Sequence, residues 1–374
     1  MRAASPLSAH ALDRVAVAAL LLALPGLALA PTMFFACWLA AWWFWTGLTL
    51  GALATCWIHA LTGGRWGDAI RLVALPLARR LPWLLLAFLP LAADAGHVFP
   101  WASSARAWTA SIERPAFEIA WYAPVFVWTR LAVIGVVWCA LAQPAVFARK
   151  GRVAAALMLY TVTGSLVAFD LVMALVPGWY STGQGLVELA GGALGGSALA
   201  VAIVARMAPH RFPTPPAVPA QRRPPPVWRD LGNLLLMWTM LWAYLAFVEF
   251  LIVWAENLPR EIAWFLPRLE TGWWGIGLAL VVLQFALPFA CLLVRANKDD
   301  PRRLARIATG LVAGQLLNCA WLVLPSVMPR GALGWWLLPL LAVAMGLPLV
   351  SRVMRDVGGM HRHDAEGHAE IVHA

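Results

Sequence analysis

The chain has 374 residues, of which 62% are hydrophobic and 12% are charged, and its mean hydropathy is +0.74. These values lie outside the range of water-soluble proteins of this length, so they exclude a soluble enzyme and indicate a polytopic membrane protein. The net charge of +10 does not indicate nucleic-acid binding, because the basic residues lie in short loops between apolar segments. The five cysteines have no spacing typical of an iron–sulfur or zinc site.

Apolar segments long enough to cross a bilayer recur along the whole chain. One helical crossing takes about 20 residues. We therefore expect an all-α protein with ten transmembrane helices near 12–30, 33–59, 80–98, 122–143, 152–176, 183–207, 230–255, 273–295, 303–328 and 333–353. The first segment also resembles a signal peptide, with Ala28-Leu29-Ala30 at its end, and we expect a retained helix.

The basic residues are distributed unequally between the two sides of these segments. With the N-terminus in the cytoplasm, most of the 28 Lys and Arg residues fall in cytoplasmic loops or near the two ends of the chain. By the positive-inside rule, both termini are predicted to be cytoplasmic. The basic residues of the opposite loops are Arg106, Arg114, Arg260, Arg268 and Arg330, and Arg130 lies well inside a predicted span.

Two connections and the C-terminal tail stand out from the short loops. The cytoplasmic connection 209–229 contains PTPPAVPAQRRPPP, which is predicted to be extended because proline cannot continue a helix. The outer connection from Gly96 to Trp121 is long enough to hold a short amphipathic piece on the membrane surface. The tail HRHDAEGHAEIVH has metal-like histidine spacing, but its polar composition is typical of a disordered segment.

Several ionisable residues lie inside predicted spans, where a charge without a partner costs several kcal/mol. Asp170 and Glu188 flank one tight corner, Pro177-Gly178-Trp179-Tyr180-Ser181. The predicted topology puts them in a layer on the periplasmic side that consists of Asp94, Asp170, Glu188, Glu249 and Arg130. This layer could bind a quinol headgroup and take its protons, form the outer half of a proton path, or be a structural cluster neutralised by Arg130.

A row of polar side chains along the fifth span leads towards this layer. It consists of Tyr160, Thr161, Ser165 and Asp170. The row could pass protons from the inner side, although hydroxyl groups in membrane helices also serve packing. Glycine pairs at 191–192 and 195–196, and Pro288, are candidates for the broken helices of a secondary transporter, but they do not form the matched pair that such a fold needs.

The histidines do not predict a haem site. A b-type haem in a helix bundle needs two axial ligands at one depth. His59 lies at the inner end of the second span and His97 at the outer end of the third, and the others lie in tails or loops. We therefore expect no bis-histidine haem and no metal site.

Three stretches carry a resemblance to a known family. They are HALTGGRWG at 59–67, AFDLVMALVPGWYST at 168–182, and the run that begins with DLGNLL at 230–235 and continues to Ile262. They resemble the ActF subunit of bacterial alternative complex III, in the NrfD-like, or polysulfide-reductase membrane subunit, superfamily. The chain departs from the family pattern at Leu171, where the family has Trp, and at Ala174, where it has Ser.

The resemblance implies an integral subunit of a quinol:electron-acceptor oxidoreductase in a bacterial inner membrane, not catalytic alone and without a covalent or metal cofactor. An ActC-like sister subunit and haem c and iron–sulfur subunits would oxidise quinol and carry electrons, and this subunit would couple them to proton translocation. Quinone, such as menaquinone, and lipids would be its non-covalent ligands. The alternatives are that the chain binds quinol itself or, from another class, that it is a secondary transporter.

The resemblance also implies an arrangement of the helices and assigns motif positions. Two four-helix bundles would comprise 33–182 and 183–328, with the helix of 1–32 and the last helix and tail of 329–374 outside them. By this resemblance, Asp170 matches the Asp of the family's AFD motif, and His59 matches the His of its HxLTGG motif. The full set of proton-pathway or quinol candidates is Asp170, Glu188, Glu249, Asp94, Arg130, His59, Tyr160 and Ser165.

Overall fold

The computed structural model describes residues 6–103, 115–212, 226–329 and 335–373, with side chains described except at 6–9, 115, 210 and 360–373. These ranges are predominantly helical and contain no β-strand. Within them, nine helices are long and apolar enough to cross a membrane, or ten if a bent helix pair counts as one span. The expectation of an all-α, membrane-type architecture is confirmed at this level. Most of the Pro-rich connection, 213–225, lies outside the described residues.

We number the main helices in chain order. They are α1 (Pro6–Ala23), α2 (Pro31–Thr62), α3 (Trp66–Ala78), α4 (Leu81–Ala93), α5 (Pro124–Leu141), α6 (Lys150–Leu171), α7 (Gln184–Met207), α8 (Val227–Glu256), α9 (Trp274–Leu293), α10 (Pro301–Val327) and α11 (Leu337–His373). Several begin with proline, whose missing N–H has no partner to lose in the first turn of a helix. Asp300 caps α10, because its carboxylate accepts a hydrogen bond from the Arg302 amide at 2.8 Å.

α2 and α7 lie at the centre of the molecule and are almost wholly buried. Their backbones touch along a glycine seam formed by Gly51, Gly192 and Gly196. A Cβ on Gly51 would collide with the backbone of Gly192, and one on Gly196 would collide with the backbone of α2 at Leu48 and Ala52. The glycines of α7 therefore serve close helix packing.

The other helices surround this central pair. α10 packs against both α2 and α7, and α3 and α6 do the same from other sides. α1 pairs with α11, which also packs against α2 and α3. α2 belongs to the first predicted bundle and α7 to the second, yet the two helices share an extensive contact. The division of the helices into two bundles at 182–183 therefore stays a prediction.

The third predicted span, 80–98, corresponds only to the second half of a pair of helices, α3 and α4. The direction of the chain changes by 47° between the two. Pro82 has no N–H to continue the helix across the bend. Arg80 stabilises the bend, since its guanidinium donates to the Pro76 carbonyl at 2.6 Å and to Asp356 at 2.8 Å. The sequence prediction missed α3 because its charged residues are typical of a cytoplasmic loop.

The last helix is longer than predicted. α11 continues to His373, so the prediction that the tail at 361–373 is disordered is wrong for the backbone. No proline follows Pro348, so nothing in the sequence forces the helix to stop. At the other end of the chain, the first predicted span is interrupted at Leu24, and a short helix, Pro25–Leu29, follows.

Candidate functional site

Asp170 and Arg130 form a buried ion pair beside the corner between α6 and α7. Asp170 lies in the last turn of α6 and is fully buried. Arg130 of α5 places Nε and one terminal nitrogen 2.8 and 2.9 Å from the two carboxylate oxygens, a bidentate geometry. The structure thus brings two predicted site residues together and leaves neither charge unpaired.

Trp121 completes this ion pair. It ends a short helix, Pro115–Trp121, in the outer connection where a short amphipathic piece was expected. Its indole N–H donates to Asp170 at 3.0 Å, and the Arg130 guanidinium lies 4.0 Å from its ring centroid. Sequence reasoning missed Trp121, because tryptophans are common at membrane interfaces and nothing local distinguishes this one.

A cavity of about 530 Å³ lies beside the ion pair. Glu118 and Arg260 supply the charged groups of its lining, and partial burial in this wall raises the pKa of Glu118. An enclosure of this size, mostly apolar with a few polar groups, is typical of a small-molecule site. The aromatic residues that line it are Trp101, Phe117, Trp121, Tyr122, Phe169, Trp179 and Tyr180.

The corner between α6 and α7 forms one wall of this cavity. Gly178 has φ of +79°, a conformation that favours glycine, so the chain can reverse direction there. Trp179 is fixed by a hydrogen bond from its indole to the Glu261 carbonyl at 3.1 Å and by stacking on Trp264 at 5.3 Å. The corner is therefore tied to the segment that connects α8 and α9.

Glu188 lies in the second turn of α7 and is only 4% exposed. Its two carboxylate oxygens accept hydrogen bonds from the Trp43 indole and from the Gln184 amide, both at 2.7 Å. Neither donor carries a charge. Within the described ranges no cation lies at salt-bridge distance from Glu188, in contrast to Asp170.

A chamber of about 20 Å³ opens beside Glu188. Its polar lining comes from Glu188, Thr46 of α2, Tyr160 of α6 and Gln315 of α10. The Thr46 hydroxyl is buried and has no hydrogen-bond partner in the part of the chain that the structure describes. Two predicted candidates on different helices, Glu188 and Tyr160, therefore meet at one small space, whose lining is mostly apolar with a few polar groups.

The polar lining continues from the chamber into α9. Gln315 accepts a hydrogen bond from the Gln284 amide at 2.9 Å, and Gln284 is fully buried. Gln284 lies in a π-helical turn, Val281–Ala286, just before Pro288, which cannot donate to the Gln284 carbonyl. The predicted break near Pro288 is thus a local widening of the helix.

Glu249 of α8 lies close to the same region. Its side chain is partly buried, and its Oε1 atom has no hydrogen-bond partner among the described residues. The charge of Glu249 acts on Glu188 through space, as does that of Arg268. Glu249 and Glu188 therefore form a second acidic group, of which only Glu188 lines the chamber, whereas Asp170 belongs to the ion pair.

Arg268 was predicted to lie in an outer loop but is fully buried. Its guanidinium donates to the Trp264, Trp321 and Leu322 carbonyls at 2.6, 3.1 and 2.8 Å. Proline at 325 cannot donate to the carbonyl four residues earlier, which is that of Trp321, so Arg268 supplies the missing donor. Sequence reasoning missed this residue because the segment around it is short and rich in loop-type residues.

Asp94 does not join the buried acids. Helix α4 ends at Ala93, so the side chain projects from an exposed connection. Asp94 is 54% exposed and lies 3.4 Å from His97. Its predicted place in the buried layer is therefore wrong.

His59 shapes the turn between α2 and α3. Its Nε2 lies 2.8 Å from the Gly64 carbonyl oxygen, and a Cβ on Gly67 would overlap the imidazole ring. Gly63 and Gly64 both have positive φ. The HALTGGRWG motif thus forms a compact turn at the C-terminal end of α2, separate from the acids near the corner.

The predicted polar row along α6 is divided between different neighbours. The Thr161 hydroxyl donates to the Leu157 carbonyl of its own helix at 2.9 Å, and Ser165 packs against Gly185 of α7. Tyr160 lines the chamber, and Asp170 belongs to the ion pair. In the described residues no hydrogen bond links these four side chains to one another.

Among the described residues, no group of three or more His, Cys, Asp or Glu side chains is arranged to hold a metal ion. A scan against protein-family models and a search of curated proteins found no match to the chain.

Proposed function

We propose that the chain is an integral subunit of a quinol:electron-acceptor oxidoreductase in a bacterial inner membrane, with ten transmembrane helices and both termini in the cytoplasm. Its motifs resemble the ActF subunit of alternative complex III, and its basic residues follow the positive-inside rule. Its role would be to move protons as quinol is oxidised in a neighbouring ActC-like subunit. Haem c and iron–sulfur subunits would carry the electrons, and lipids would surround the assembly.

The contrast between the two buried acids carries this proposal. A proton carrier must be able to exist both charged and neutral. Protonating Asp170 would leave Arg130 buried without its counter-ion, which costs about 3–5 kcal/mol. Glu188 has uncharged donors and a small chamber beside it, so no ion pair is broken when it takes up a proton. We therefore assign proton transfer to Glu188, with Glu249 as its acidic neighbour, and a structural role to Asp170.

The proposal is tested by Glu188→Gln in the intact complex, with Asp94→Asn as the control for an exposed acid. We expect Glu188→Gln to retain quinol oxidation and to lose proton translocation in proteoliposomes, while the control keeps both. Unchanged proton translocation per quinol in Glu188→Gln would contradict the role of Glu188. Purification tests the assembly itself, since a stable chain without haem-containing partners and with substrate uptake would favour a secondary transporter.

A second candidate function is quinol binding within this chain, favoured by the aromatic cavity of about 530 Å³. A quinol ring could stack between its aromatic walls, and Glu118, whose pKa is raised by burial, could accept a proton from the ring hydroxyl. The substitution Glu118→Gln is expected to weaken binding of a fluorescent quinol analogue by roughly tenfold, the equivalent of about 1.4 kcal/mol. Equal affinity of both proteins would count against this candidate.

A further inference from the structure

We infer that the chamber beside Glu188 binds one water molecule, which hydrogen-bonds both Glu188 and the Thr46 hydroxyl. This water exchanges a proton with the Glu188 carboxyl. The binding of water stands on the chamber alone, whereas its part in proton transfer rests on the proposed function of Glu188.

The size of the chamber fits a single water. Its volume is about 20 Å³. A water molecule needs roughly 10–15 Å³ of such space and two to four polar partners. The chamber offers Glu188, Thr46, Tyr160 and Gln315 as lining residues with polar groups. It can therefore hold one water but not a chain of them.

The hydrogen bonds of Glu188 leave room for that water in both protonation states. An ionised carboxylate has about four acceptor positions, and only Trp43 and Gln184 donate to it. A protonated carboxyl has an O–H that needs an acceptor, and an indole N–H can only donate. The amide of Gln184 also presents its NH₂ group to the carboxyl. The chamber is therefore where a proton on Glu188 finds an acceptor.

Thr46 supplies the second, independent observation. Some threonines of α2 bond a carbonyl of their own helix, as Thr55 does with Gly51 and Thr62 with Ile58, both at 2.9 Å, whereas Thr46 and Thr49 do not. Thr46 is 1% exposed, lines the chamber and makes no such bond. Leaving a buried hydroxyl unsatisfied costs about 1–3 kcal/mol, so a water in the chamber stabilises the site.

Such a water passes a proton on without being consumed. The O–H bond of the Glu188 carboxyl breaks as the water oxygen gains that proton. The water then releases one of its own protons to a neighbouring oxygen that can give up a proton in turn. The Tyr160 hydroxyl on α6 is a candidate, because its own O–H bond can break as the new one forms. Glu188 ends as a carboxylate, the water and Tyr160 end neutral, and one proton has left the site.

The test uses infrared difference spectroscopy on the purified assembly, with Glu188→Gln to identify the carboxyl band. In the wild type we expect a water O–H band that shifts on exchange into H₂¹⁸O. Thr46→Val removes a hydroxyl at nearly constant volume, so this band should disappear and hydrogen–deuterium exchange at Glu188 should slow by roughly tenfold, about 1.4 kcal/mol. Thr46→Ser should restore both.

Thr49→Val is the matched control. Thr49 lies three residues further along α2, is fully buried and also has no hydrogen-bond partner among the described residues, but it does not line the chamber. This variant should keep the water band and the exchange rate.

The following results would refute the water site, its location or the proposed function of Glu188. Absence of an ¹⁸O-sensitive band in the wild type, or a spectrum that depends on Na⁺ in place of ¹⁸O, would overturn the water site. Loss of the band in Thr49→Val as well would overturn its location. A water band that is present while Glu188→Gln still translocates protons would refute the proposed function and leave the water site intact.

Discussion

Two buried arginines near the corner are stabilised in different ways. Arg130 has a carboxylate, Asp170, and an aromatic ring to share its charge. Arg268 has backbone carbonyls and the Ser326 hydroxyl, and its guanidinium lies 3.4 Å from the centroid of the Trp264 ring. Backbone carbonyl oxygens carry partial negative charge, so several of them together can accommodate a cation. Removing a partner should therefore have its largest effect at Arg130, which depends on a single acid.

The substitution Asp170→Asn should destabilise the protein by about 3–5 kcal/mol, because it leaves the Arg130 guanidinium buried and uncompensated. Adding Arg130→Met should recover a large part of that loss. Thermal unfolding in detergent, followed for the single and double variants, measures both effects. The exposed pair member Asp94 gives the control, since Asp94→Asn should change stability little. A double variant less stable than Asp170→Asn would contradict this account.

Individual site residues were predictable where their chemistry conflicts with an apolar span. Asp170, Glu188 and Arg130 meet that condition, and the structure buries or pairs all three. Thr46 could not be selected from sequence, because it differs from Thr49, which also lacks a hydrogen-bond partner, only in lining the chamber. The burial of Arg268 could not be predicted, because its sequence position is in a predicted loop. Its bond to the Trp321 carbonyl, which proline at 325 leaves without a donor, depends on how the chain folds in three dimensions.

At the scale of elements, the contact between α2 and α7 depends on the absence of side chains. The substitution Gly196→Ala puts a methyl group against the backbone of α2 and should cost about 1–3 kcal/mol or more through overpacking. Gly310→Ala on α10 is the control, because a Cβ there meets nothing within 4 Å. The control should be neutral or stabilising by up to about 1 kcal/mol through helix propensity. Equal unfolding temperatures for the two variants would rule out the glycine seam as a close contact.

The start of α8 is tied to the loop before α10 by a second ion pair. Arg229 donates to both oxygens of Asp299 at 2.8 and 2.6 Å, and this hydrogen bonding lowers the pKa of Asp299. A lowered carboxyl pKa contributes stability that is present above the ordinary aspartate pKa and is lost as pH falls through the lowered value.

We therefore expect the protein to lose a small part of its stability on acidification below about pH 4, the ordinary aspartate range. The variant Asp299→Asn should lack that part of the pH dependence. Unfolding temperatures of the two proteins, measured across this range, give the comparison. If the plots of unfolding temperature against pH are parallel for the wild type and the variant, the ion pair contributes nothing to stability. Many exposed ion pairs make no measurable contribution.

At the scale of the whole molecule, orientation is the property most open to a direct test. Lys150 at the start of α6 and Glu270 after α8 are both exposed and are predicted to face opposite sides of the membrane. In intact cells, a membrane-impermeant maleimide should label Glu270→Cys and should leave Lys150→Cys unlabelled. Inverted vesicles should give the opposite result, and the unsubstituted protein, with its own five cysteines, sets the background. A reversed pattern would place the termini outside.

The long apolar helices were predictable from sequence because twenty apolar residues in a row have few alternatives to a membrane helix. The bend between α3 and α4 was not, because the charges of α3 are characteristic of a loop and only tertiary contacts reveal it as a helix. The extension of α11 was missed for a similar reason. The polar composition of the tail favoured a prediction of disorder, although the tail contains no proline that would end the helix. Which helices lie at the centre follows from the glycine contacts, which no single sequence displays.

The pairing of the first helix with the last has a consequence for biosynthesis. Asp13 of α1 accepts a hydrogen bond from Ser351 of α11 at 2.9 Å, and buried alanines of α1 face the same neighbour. A ribosome completes α1 long before it reaches α11, so α1 is made without the helix against which it packs. The contact between α1 and α11 can therefore form only after α11 is made, and a stop codon ahead of residue 337 would yield a chain whose α1 has lost its principal neighbour.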